Sequence, residues 1–561
     1  MESTLLPMQG PKESVHGKKA VCSTAHPIVT DTIMKTMKAG GNAVDAAIAG
    51  SMVQAAIEPD MSNHAGTVTF LYWEAKSGKA YQLNSTGTLV PGLAPFRPLP
   101  SGLGMLVPAG VEPAPCACIP GFMPGMKALF ERFGTRPWST LCEDAILWAE
   151  EGHPVSSFEF GVLESEMPSH AYFPESRALF MPDGHTPQVG ERFRNPKLAA
   201  TLRRVAKEGP DDFLTGVWAQ HFVKHANDLG WPIELRHMTA IPPRWQEPLR
   251  YPHRGYEVLQ LSPPERTGLF SAFVLGILAH LDVTKLGHYT ESAEALYYMA
   301  HALRWVDNEL VYLQDPLIWD VPLDPWLSGD YHRMVAGVLR HSKPKIDLTE
   351  HLRLYYGVPR LAATGLPIAG PGKPRPPIGS CELSIVDPEG NWVQMMHTMQ
   401  SGGIPGAVVD GVPMNGSNAV PTMKSRLCVS GWLTGGGRIR CVIGNTIVLK
   451  DGKPWLSLGT PGNVHVTVPQ VLSNILDYGY EPYEASVLPR MLPLRDDYVL
   501  EIESRLPAKV VSDLARLGII IHPLAPYDYH KGSYQICWKH PTTGTLSACT
   551  DPRRCGKADG F

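Results

Sequence analysis

The stretch SCELSIVD at positions 380–387, together with the residues that follow it up to Thr398, decides the fold. Residues 380–387 form a short β run, and PEGN at 388–391 has the residue types of a tight turn. A second β run then continues to Thr398. This pattern predicts a β-hairpin that begins just after a proline-rich stretch at 370–377.

Outside this hairpin, the pattern predicts further strands in the middle of the fold and helices around them. Strands are expected at 67–73, 79–84, 446–450 and 454–460, and helices at 25–37, 43–57, 120–133, 139–151, 291–313 and 464–478. Asn42 has the residue type of a helix N-cap for the second helix. Strands in the middle and helices outside indicate an α+β fold with stacked sheets covered by helical layers.

Composition limits the classes of function. The chain has 561 residues, of which 43% are hydrophobic, so it can bury a large core. A formal charge of −4 without a long basic run predicts neither a nucleic-acid partner nor a membrane-surface partner. Because no secretory signal and no long apolar segment is visible, we expect a cytoplasmic protein. The ten scattered cysteines indicate reduced, buried thiols, and we expect no metal and no cofactor.

The pair Gly379-Ser380 is the first candidate for chemistry. A small residue before a hydroxyl residue at the start of a strand permits an N→O acyl shift, after which water releases a new N-terminus at Ser380. The α-amine of such a terminus, with a pKa of roughly 8 in model peptides, can act as general base for its own hydroxyl. A serine bonded to a turn or to solvent explains the pair equally well.

Five sequence blocks, in order along nearly the whole chain, carry a family resemblance. They are AGGNAVDAA at 39–47, IPG at 119–121 with RFG at 132–134 and PW at 137–138, LQDP at 313–316, LGTPG at 458–462, and the tail DPRR at 551–554 with Gly556. The chain resembles the gamma-glutamyltransferase family of N-terminal-nucleophile hydrolases, as a divergent member. The resemblance implies a four-layer αββα sandwich with two central antiparallel sheets.

The resemblance also implies the catalytic residues. The family nucleophile is the first threonine of a Thr-Thr-His-x-Ser-Val-Val-Asp motif, and here that position is Ser380, with Cys381 as a nearby rival. Thr398 matches a family threonine beside the nucleophile, although it could also be an ordinary strand threonine. Gln400 replaces the asparagine of the same motif. Gly462 and Asn463 stand where helix N-terminal amides can receive an oxyanion, or where a plain strand-to-helix turn would serve.

Cleavage between Gly379 and Ser380 would divide the chain into a large portion, 1–379, and a small portion, 380–561. In the family, two such fragments come from one precursor. We expect them to form one intertwined αββα unit, because the sheets would be shared between them. The sequence also leaves open that two copies of the protein form a homodimer.

Three family contacts to a gamma-glutamyl head are missing here. Gly87 stands at the position of an arginine, Cys441 and Val442 at those of two serines, and the segment that includes Asn415 and Asn418 lacks the family aspartate. Hydrogen bonds to charged groups are worth about 1.5–3 kcal/mol each, so their joint loss predicts a different, less charged acyl group. Arg97 could supply a charge through another loop path.

The leading hypothesis is therefore an autoprocessed amide hydrolase or acyltransferase that acts on a small-molecule amide and forms an acyl-enzyme on Ser380. A genuine gamma-glutamyl hydrolase or transpeptidase with glutathione-like substrates is the first alternative. An unprocessed, non-catalytic relative is the second. Variant Ser380→Ala separates the classes, because it abolishes cleavage only in an enzyme.

Overall fold

The computed structural model describes residues 9–93, 117–165, 167–310, 313–321, 323–341, 380–399, 402–414, 436–438, 443–462, 464–495 and 498–561. Within these residues, two seven-stranded antiparallel sheets form the centre of the molecule. Helices cover the outer face of each sheet, so the layer order is α, β, β, α. The predicted α+β sandwich of four layers is confirmed.

Strands from distant parts of the chain alternate within both sheets. The first sheet contains, in spatial order, β20 (Lys557–Gly560), β2 (Val21–Thr24), β10 (Cys381–Val386), β11 (Trp392–Thr398), β3 (Thr67–Glu74), β4 (Lys79–Ser85) and β7 (Arg244–Gln246). The second contains β1 (Val15–Gly17), β19 (Leu546–Thr550), β18 (Gln535–Lys539), β15 (Lys453–Gly459), β14 (Thr446–Lys450), β9 (Tyr256–Gln260) and β8 (Leu249–His253). Three two-stranded sheets pair β5 (His153–Pro154) with β6 (Arg192–Phe193), β12 (Val408–Val409) with β13 (Val412–Pro413), and β16 (Val499–Glu503) with β17 (Ile520–Leu524).

The helices form two separate layers. In chain order they are α1 (Pro27–Lys38), α2 (Ala43–Ile57), α3 (Phe122–Phe133), α4 (Trp138–Glu151), α5 (Ser157–Ser165), α6 (Met167–His170), α7 (Pro174–Phe180), α8 (Pro196–Glu208), α9 (Val217–Asp228), α10 (Arg266–Leu281), α11 (Ala293–Glu309), α12 (Leu323–Leu327), α13 (Gly329–His341), α14 (Val464–Leu476), α15 (Pro482–Val487) and α16 (Ala508–Arg516). Helices α1 to α4 share an apolar core with the outer face of the first sheet. Helices α10, α11 and α13 form a core on the side of the second sheet, where α14 packs against α10.

Helix α2 shows how the local sequence fits this arrangement. Its N-cap Asn42 accepts hydrogen bonds from the backbone N–H groups of Val44 and Asp45, and the Asp45 side chain accepts one from the Asn42 backbone N–H, which completes a capping box. Every residue of the helix is buried, because α2 lies between the first sheet, α1 and α4. The Asp387 carboxylate accepts a hydrogen bond of 2.8 Å from the Ala43 N–H and so ties the start of α2 to the end of β10.

The predicted hairpin is confirmed as β10 and β11, and most other predicted elements are present with shifted ends. The long helix predicted at 291–313 is shorter, Ala293–Glu309, and its start is set by the Ser292 hydroxyl, which caps it by accepting from the Ala295 N–H. The helix predicted at 464–478 ends at Leu476, ahead of Gly479, whose φ is +74°.

The interleaving of strands bears on the predicted division at residues 379 and 380. In the first sheet β10 and β11 lie between β2 and β3, and in the second sheet β14, β15, β18 and β19 lie between β1 and β9. Strands from both sides of residue 380 therefore share both sheets. The division into two subunits stays a prediction.

Candidate active site

Ser380 lies directly before β10, an interior strand of the first sheet. Its side chain is in a buried position, with 8% of the residue exposed. Its carbonyl oxygen accepts a hydrogen bond of 2.7 Å from Nη1 of Arg554, which is itself buried. An arginine from the C-terminal tail therefore holds Ser380, while β11 pairs with β10 from Cys381 onward and β2 pairs with it from Leu383 onward.

The residues of β10 alternate between two environments. Leu383 and Ile385 belong to the core shared with α1 to α4. Ser384 faces the second sheet, where its Oγ lies 2.6 Å from Oγ of Ser457. Because successive side chains of a strand point to opposite faces, Ser380 and Glu382 share the face of Ser384.

Thr398 is the cross-strand neighbour of Ser380. The pairing of β10 with β11 ends at Cys381 opposite His397, so one further step in this register places Ser380 opposite Thr398. Thr398 is in phase with Met396, which packs in the core of the second sheet. The two hydroxyl residues therefore share the inter-sheet face. Cβ atoms of residues directly opposite each other on adjacent strands are about 4.5–5.5 Å apart.

Cys381, the rival nucleophile, points the other way. It is fully buried beside α2 and α5, and its Sγ lies 3.7 Å from Oε2 of Glu58. Burial and then the charge of Glu58 raise the pKa of the Cys381 thiol well above its usual value. A thiolate is disfavoured there, and the sulfur faces the helix layer instead of the second sheet.

The loop at 459–462 meets the start of β10 from the second sheet. β15 ends at Gly459, and an added Cβ there would collide with the side chains of Glu382 and Gln394. These two side chains are hydrogen-bonded, with Nε2 of Gln394 donating to Oε1 of Glu382 at 2.7 Å. Full burial raises the pKa of Glu382 well above its usual value. We use the name cleft for the region between the ends of the two sheets where Ser380, Glu382, Thr398 and Gly459 lie.

Gly462 takes a backbone conformation that suits glycine, with a φ of +90°. An added Cβ at this position would approach the backbone of Gly532 to about 3.0 Å. α14 begins at Val464, whose N–H donates to the carbonyl of Gly462 at 2.8 Å. The predicted strand–loop–helix arrangement is therefore present, and its role as an oxyanion site stays a prediction.

A comparison of the sequence with models of known protein families gives a match over most of the chain. The family model for gamma-glutamyltranspeptidase matches residues 30–561. The chain belongs to this family. Family members are N-terminal-nucleophile amidohydrolases or acyltransferases, and this protein is an enzyme of that class.

The known proteins that are similar to this chain include both glutathione hydrolase-like proteins and acylases. A glutathione hydrolase-like proenzyme of Bacillus subtilis (strain 168) is 26% identical over 571 residues, covering 98% of this chain and 100% of that protein. An acylase proenzyme, ACY 1, of Pseudomonas sp. (strain V22) is 24% identical over 561 residues, covering 98% and 94%. The solved structure of cephalosporin acylase from Bacillus halodurans matches with a TM-score of 0.78 and 23% identity, covering 100% and 99%, and shows the shared fold.

Gly87, at the position of the family arginine, lies beside a different buried arginine. Thr88 forms bridges with Ile119 and Arg438, and Nη1 of Arg438 donates to the carbonyl of Thr86 at 3.0 Å. Arg438 is 3% exposed, and burial, with a smaller effect from Arg244, lowers its pKa to about 10. The guanidinium also donates to the carbonyl of Pro242.

Seven other predicted site residues lie outside the described residues. They are Gly379, Gln400, Asn415, Asn418, Cys441, Val442 and Asn463. Their roles in this member of the family stay predictions, as do those of Ser380, Thr398, Gly87 and Gly462. Within the described ranges, no group of three or more His, Cys, Asp or Glu side chains is arranged to hold a metal ion. Among the helices of the same ranges, none has both the length and the apolar character of a membrane span.

Sequence reasoning missed the roles of Arg554 and its neighbour Arg553. The tail DPRR carried the family resemblance, but nothing in its spacing indicated a contact with Ser380. Arg553 is also fully buried and forms ion pairs of 2.7 Å with Glu503 and 3.1 Å with Asp551. The two consecutive arginines of the tail were the signal in the sequence that could have indicated this anchoring.

A cavity of about 690 Å³ lies elsewhere, between α7, α8 and the turn at Asp410. None of the residues that line it belongs to β10, β11 or the loop at 459–462. The predicted nucleophile, Ser380, therefore does not line this cavity.

Proposed function

We propose that the protein is an autoprocessed amide hydrolase or acyltransferase whose acyl-enzyme forms on Ser380, and that its acyl group is not gamma-glutamyl. The observation that carries this proposal is the position of Ser380. It opens an interior strand, shares the inter-sheet face with Thr398, and lies two residues before Glu382, which contacts Gly459. The proposed nucleophile, a neighbouring hydroxyl and the loop before α14 thus lie in one region between the sheets.

Self-cleavage proceeds by an N→O acyl shift. Oγ of Ser380 attacks the carbonyl carbon of Gly379, and the C–N bond breaks as the proton passes from the hydroxyl to the departing nitrogen. The ester that results is hydrolysed by water, which leaves a carboxylate on Gly379 and a free hydroxyl and α-amine on Ser380. The names of the similar proteins, which include "proenzyme", support this step.

Turnover reuses the same atoms. The α-amine of Ser380 takes the hydroxyl proton while Oγ attacks the substrate carbonyl, and it then delivers this proton to the leaving amine. Backbone N–H groups of Gly462 and Asn463 are the proposed donors to the oxyanion. Water, or an acceptor amine in a transferase, then releases the acyl group from Oγ.

The residues near Gly87 support an acyl group without the charged head of a gamma-glutamyl group. Residues 84–91 contain no lysine or arginine, and the buried Arg438 beside them donates to two backbone carbonyls. A bidentate arginine contact to a substrate carboxylate, as a gamma-glutamyl head requires, has no candidate from this segment. Similar proteins that are named acylases support an acyl group other than glutamyl.

Intact mass of the purified protein tests the proposal. The wild type is expected to give two polypeptides, 1–379 and 380–561, and the Ser380→Ala variant a single chain without activity. Cys381→Ser is the matched control, because its side chain faces the helix layer, and it should still cleave. A wild-type protein that stays in one piece, or a Ser380→Ala variant that cleaves normally, would contradict the proposal.

A gamma-glutamyl activity on glutathione-like substrates is the second candidate function. It is supported by the name of the Bacillus subtilis relative, a glutathione hydrolase-like proenzyme. A kinetic comparison of a gamma-glutamyl anilide with anilides of uncharged acyl groups distinguishes the two candidates. A higher kcat/KM for the glutamyl compound would favour this second candidate.

A further inference from the structure

Thr67 carries a buried hydroxyl without a hydrogen-bond partner. It is fully buried, and its Oγ1 has no hydrogen-bond partner in the described part of the protein. Thr67 begins β3 and pairs with Thr398, the residue opposite Ser380. Three hydroxyl residues, Ser380, Thr398 and Thr67, therefore lie in one row across three adjacent strands.

The alternation of β3 places the Thr67 hydroxyl on the cleft side of the sheet. Thr69, two residues later, faces the second sheet and donates to Oδ1 of Asn445 at 3.1 Å. Val68, between them, packs in the core shared with α1 to α4. Side chains two residues apart share a face, so Thr67 points toward the second sheet, as Thr69 does.

The backbone around Thr67 is held firmly against Thr398. The Met399 N–H donates to the carbonyl of Met61 at 3.1 Å. Gly66 packs so closely on the carbonyl of Thr398 that an added Cβ would collide with it. The hydroxyl of Thr67 is thus attached to a fixed backbone beside the proposed catalytic residues.

The segment just before β14 contacts the first sheet near Thr67. Asn445 accepts from Thr69, and its Nδ2 donates to the carbonyl of Gln394 at 2.6 Å, which ties this segment to the first sheet. The position of a Cβ on Gly444 would lie 3.3 Å from the N atom of Thr460, in the loop before α14. Thr67 therefore shares its face with Thr69, which bonds to a segment that lies beside the proposed oxyanion loop.

We infer that the Thr67 hydroxyl binds an oxygen atom of the acyl group and so selects the substrate. This inference rests on the proposed function of Ser380. Two strand spacings separate Thr67 from Ser380, about 9.5 Å. After a covalent bond to Ser380 and a hydrogen bond of about 2.8 Å to Thr67, roughly 5–6 Å is left for the acyl chain.

This length corresponds to a chain with an oxygen about four to five bonds from the scissile carbonyl. A threonine hydroxyl both donates and accepts, so a hydroxyl, amide or carbonyl oxygen fits it. The substrate class is therefore an amide of a medium-length acyl chain with an uncharged oxygen near its far end. A substrate oxygen would also satisfy a hydroxyl that is otherwise buried alone, a state that costs stability.

Matched substrates test this inference on the mature enzyme. We would compare the p-nitroanilides of pentanoic acid and 5-hydroxypentanoic acid and take the ratio of their kcat/KM values. The wild type is expected to prefer the hydroxylated compound by about tenfold, and Thr67→Val to reduce this preference to near one. Thr67→Ser keeps a hydroxyl and should keep most of the preference.

Thr201→Val is the control for the loss of a buried threonine hydroxyl outside the cleft. Its Oγ1 in α8 donates to the carbonyl of Asp410 at 2.7 Å, and its loss should leave the substrate ratio unchanged. If Thr67→Val does not fold, Thr67→Ala provides the same comparison.

Two outcomes would overturn the inference separately from the proposed function. A cleaved, active wild type without preference for the hydroxylated compound shows that no oxygen of the acyl group is recognised. A preference that persists in Thr67→Val assigns the recognition to another residue. An uncleaved wild type that hydrolyses neither compound instead removes the proposed function, and the inference with it.

Discussion

The two faces of β10 differ in chemistry although they belong to one strand of six residues. On the helix side, Leu383 and Ile385 lie in an apolar core, next to a protonated Cys381. On the side of the second sheet, Glu382 and Ser384 are polar, fully buried and bonded to other side chains. Both faces exclude water, but only the face toward the second sheet is shared with the predicted nucleophile, Ser380.

We infer from this difference that the helix face of β10 serves stability and that the inter-sheet face serves chemistry. Buried apolar side chains stabilise the fold through area removed from water. Buried polar groups cost free energy unless they are hydrogen-bonded, so a polar face at the centre of a sandwich is retained for reasons other than stability. Oε2 of Glu382 and Oε1 of Gln394 have no partner in the described residues, which fits this interpretation.

Truncation on the helix face should have the largest effect on stability. Leu383→Ala removes a fully buried side chain and is expected to cost about 2–5 kcal/mol, because the surrounding helices fill the cavity only in part. Urea unfolding in the Ser380→Ala background, which is expected to keep the chain in one piece, measures this loss. The activity of the mature enzyme per folded molecule should not change. A large loss of kcat with normal stability would contradict the interpretation that the helix face serves stability alone.

Glu58, beneath Cys381, gives a pH-dependent effect of intermediate size. Burial, partly offset by Arg554, raises its pKa from 4.5 to about 6. The fold favours the neutral form, so its contribution to stability is fully present below about pH 4.5 and is lost as the pH rises to about 6. Glu58→Gln should therefore stabilise the protein by up to about 2 kcal/mol above pH 6.

Urea midpoints of the wild type and the Glu58→Gln variant at pH 5, 6, 7 and 8 measure this difference. It should grow from pH 5 to about pH 6 and then level off. Glu151→Gln, at the exposed end of α4, is the control and should show no such trend. A difference that stays constant from pH 5 to pH 8 would contradict the raised pKa of Glu58.

The smallest effect concerns the contact between the sheets at Ser384 and Ser457. Either alanine substitution leaves the other hydroxyl buried without its partner and should cost about 1–2 kcal/mol. The double variant removes both groups, so its loss should be smaller than the sum, with a coupling of about 1 kcal/mol. A double-mutant cycle from urea unfolding measures this coupling. Simple additivity would show that the cross-sheet bond contributes nothing.

Local elements were predictable from the sequence because their signals are local. The Asn42 cap fixed the start of α2, and the turn before Asn391, with Gly390 at a φ of +85°, fixed the hairpin of β10 and β11. The layered fold followed from the order of strands and helices and from the family resemblance. The division at residue 380, the site roles and the cytoplasmic location stay predictions.

The contacts that build the cleft could not be predicted, because they join residues far apart in the chain. Arg554 bonds to Ser380 across 174 positions, and Thr69 bonds to Asn445 across 376. No periodicity or turn signal encodes such pairs. The free hydroxyl of Thr67 also appears only when its neighbours in space are known, since a threonine that begins a strand is unremarkable in the sequence.

The interior position of β10 has a consequence for any chain end created at Ser380. Ends of polypeptides usually fray, because nothing on one side restrains them. An end at Ser380 would instead be restrained at its carbonyl by the buried Arg554, and one residue later by the pairing of Cys381 with β11. The position of its amine would therefore vary less than that of an ordinary free N-terminus.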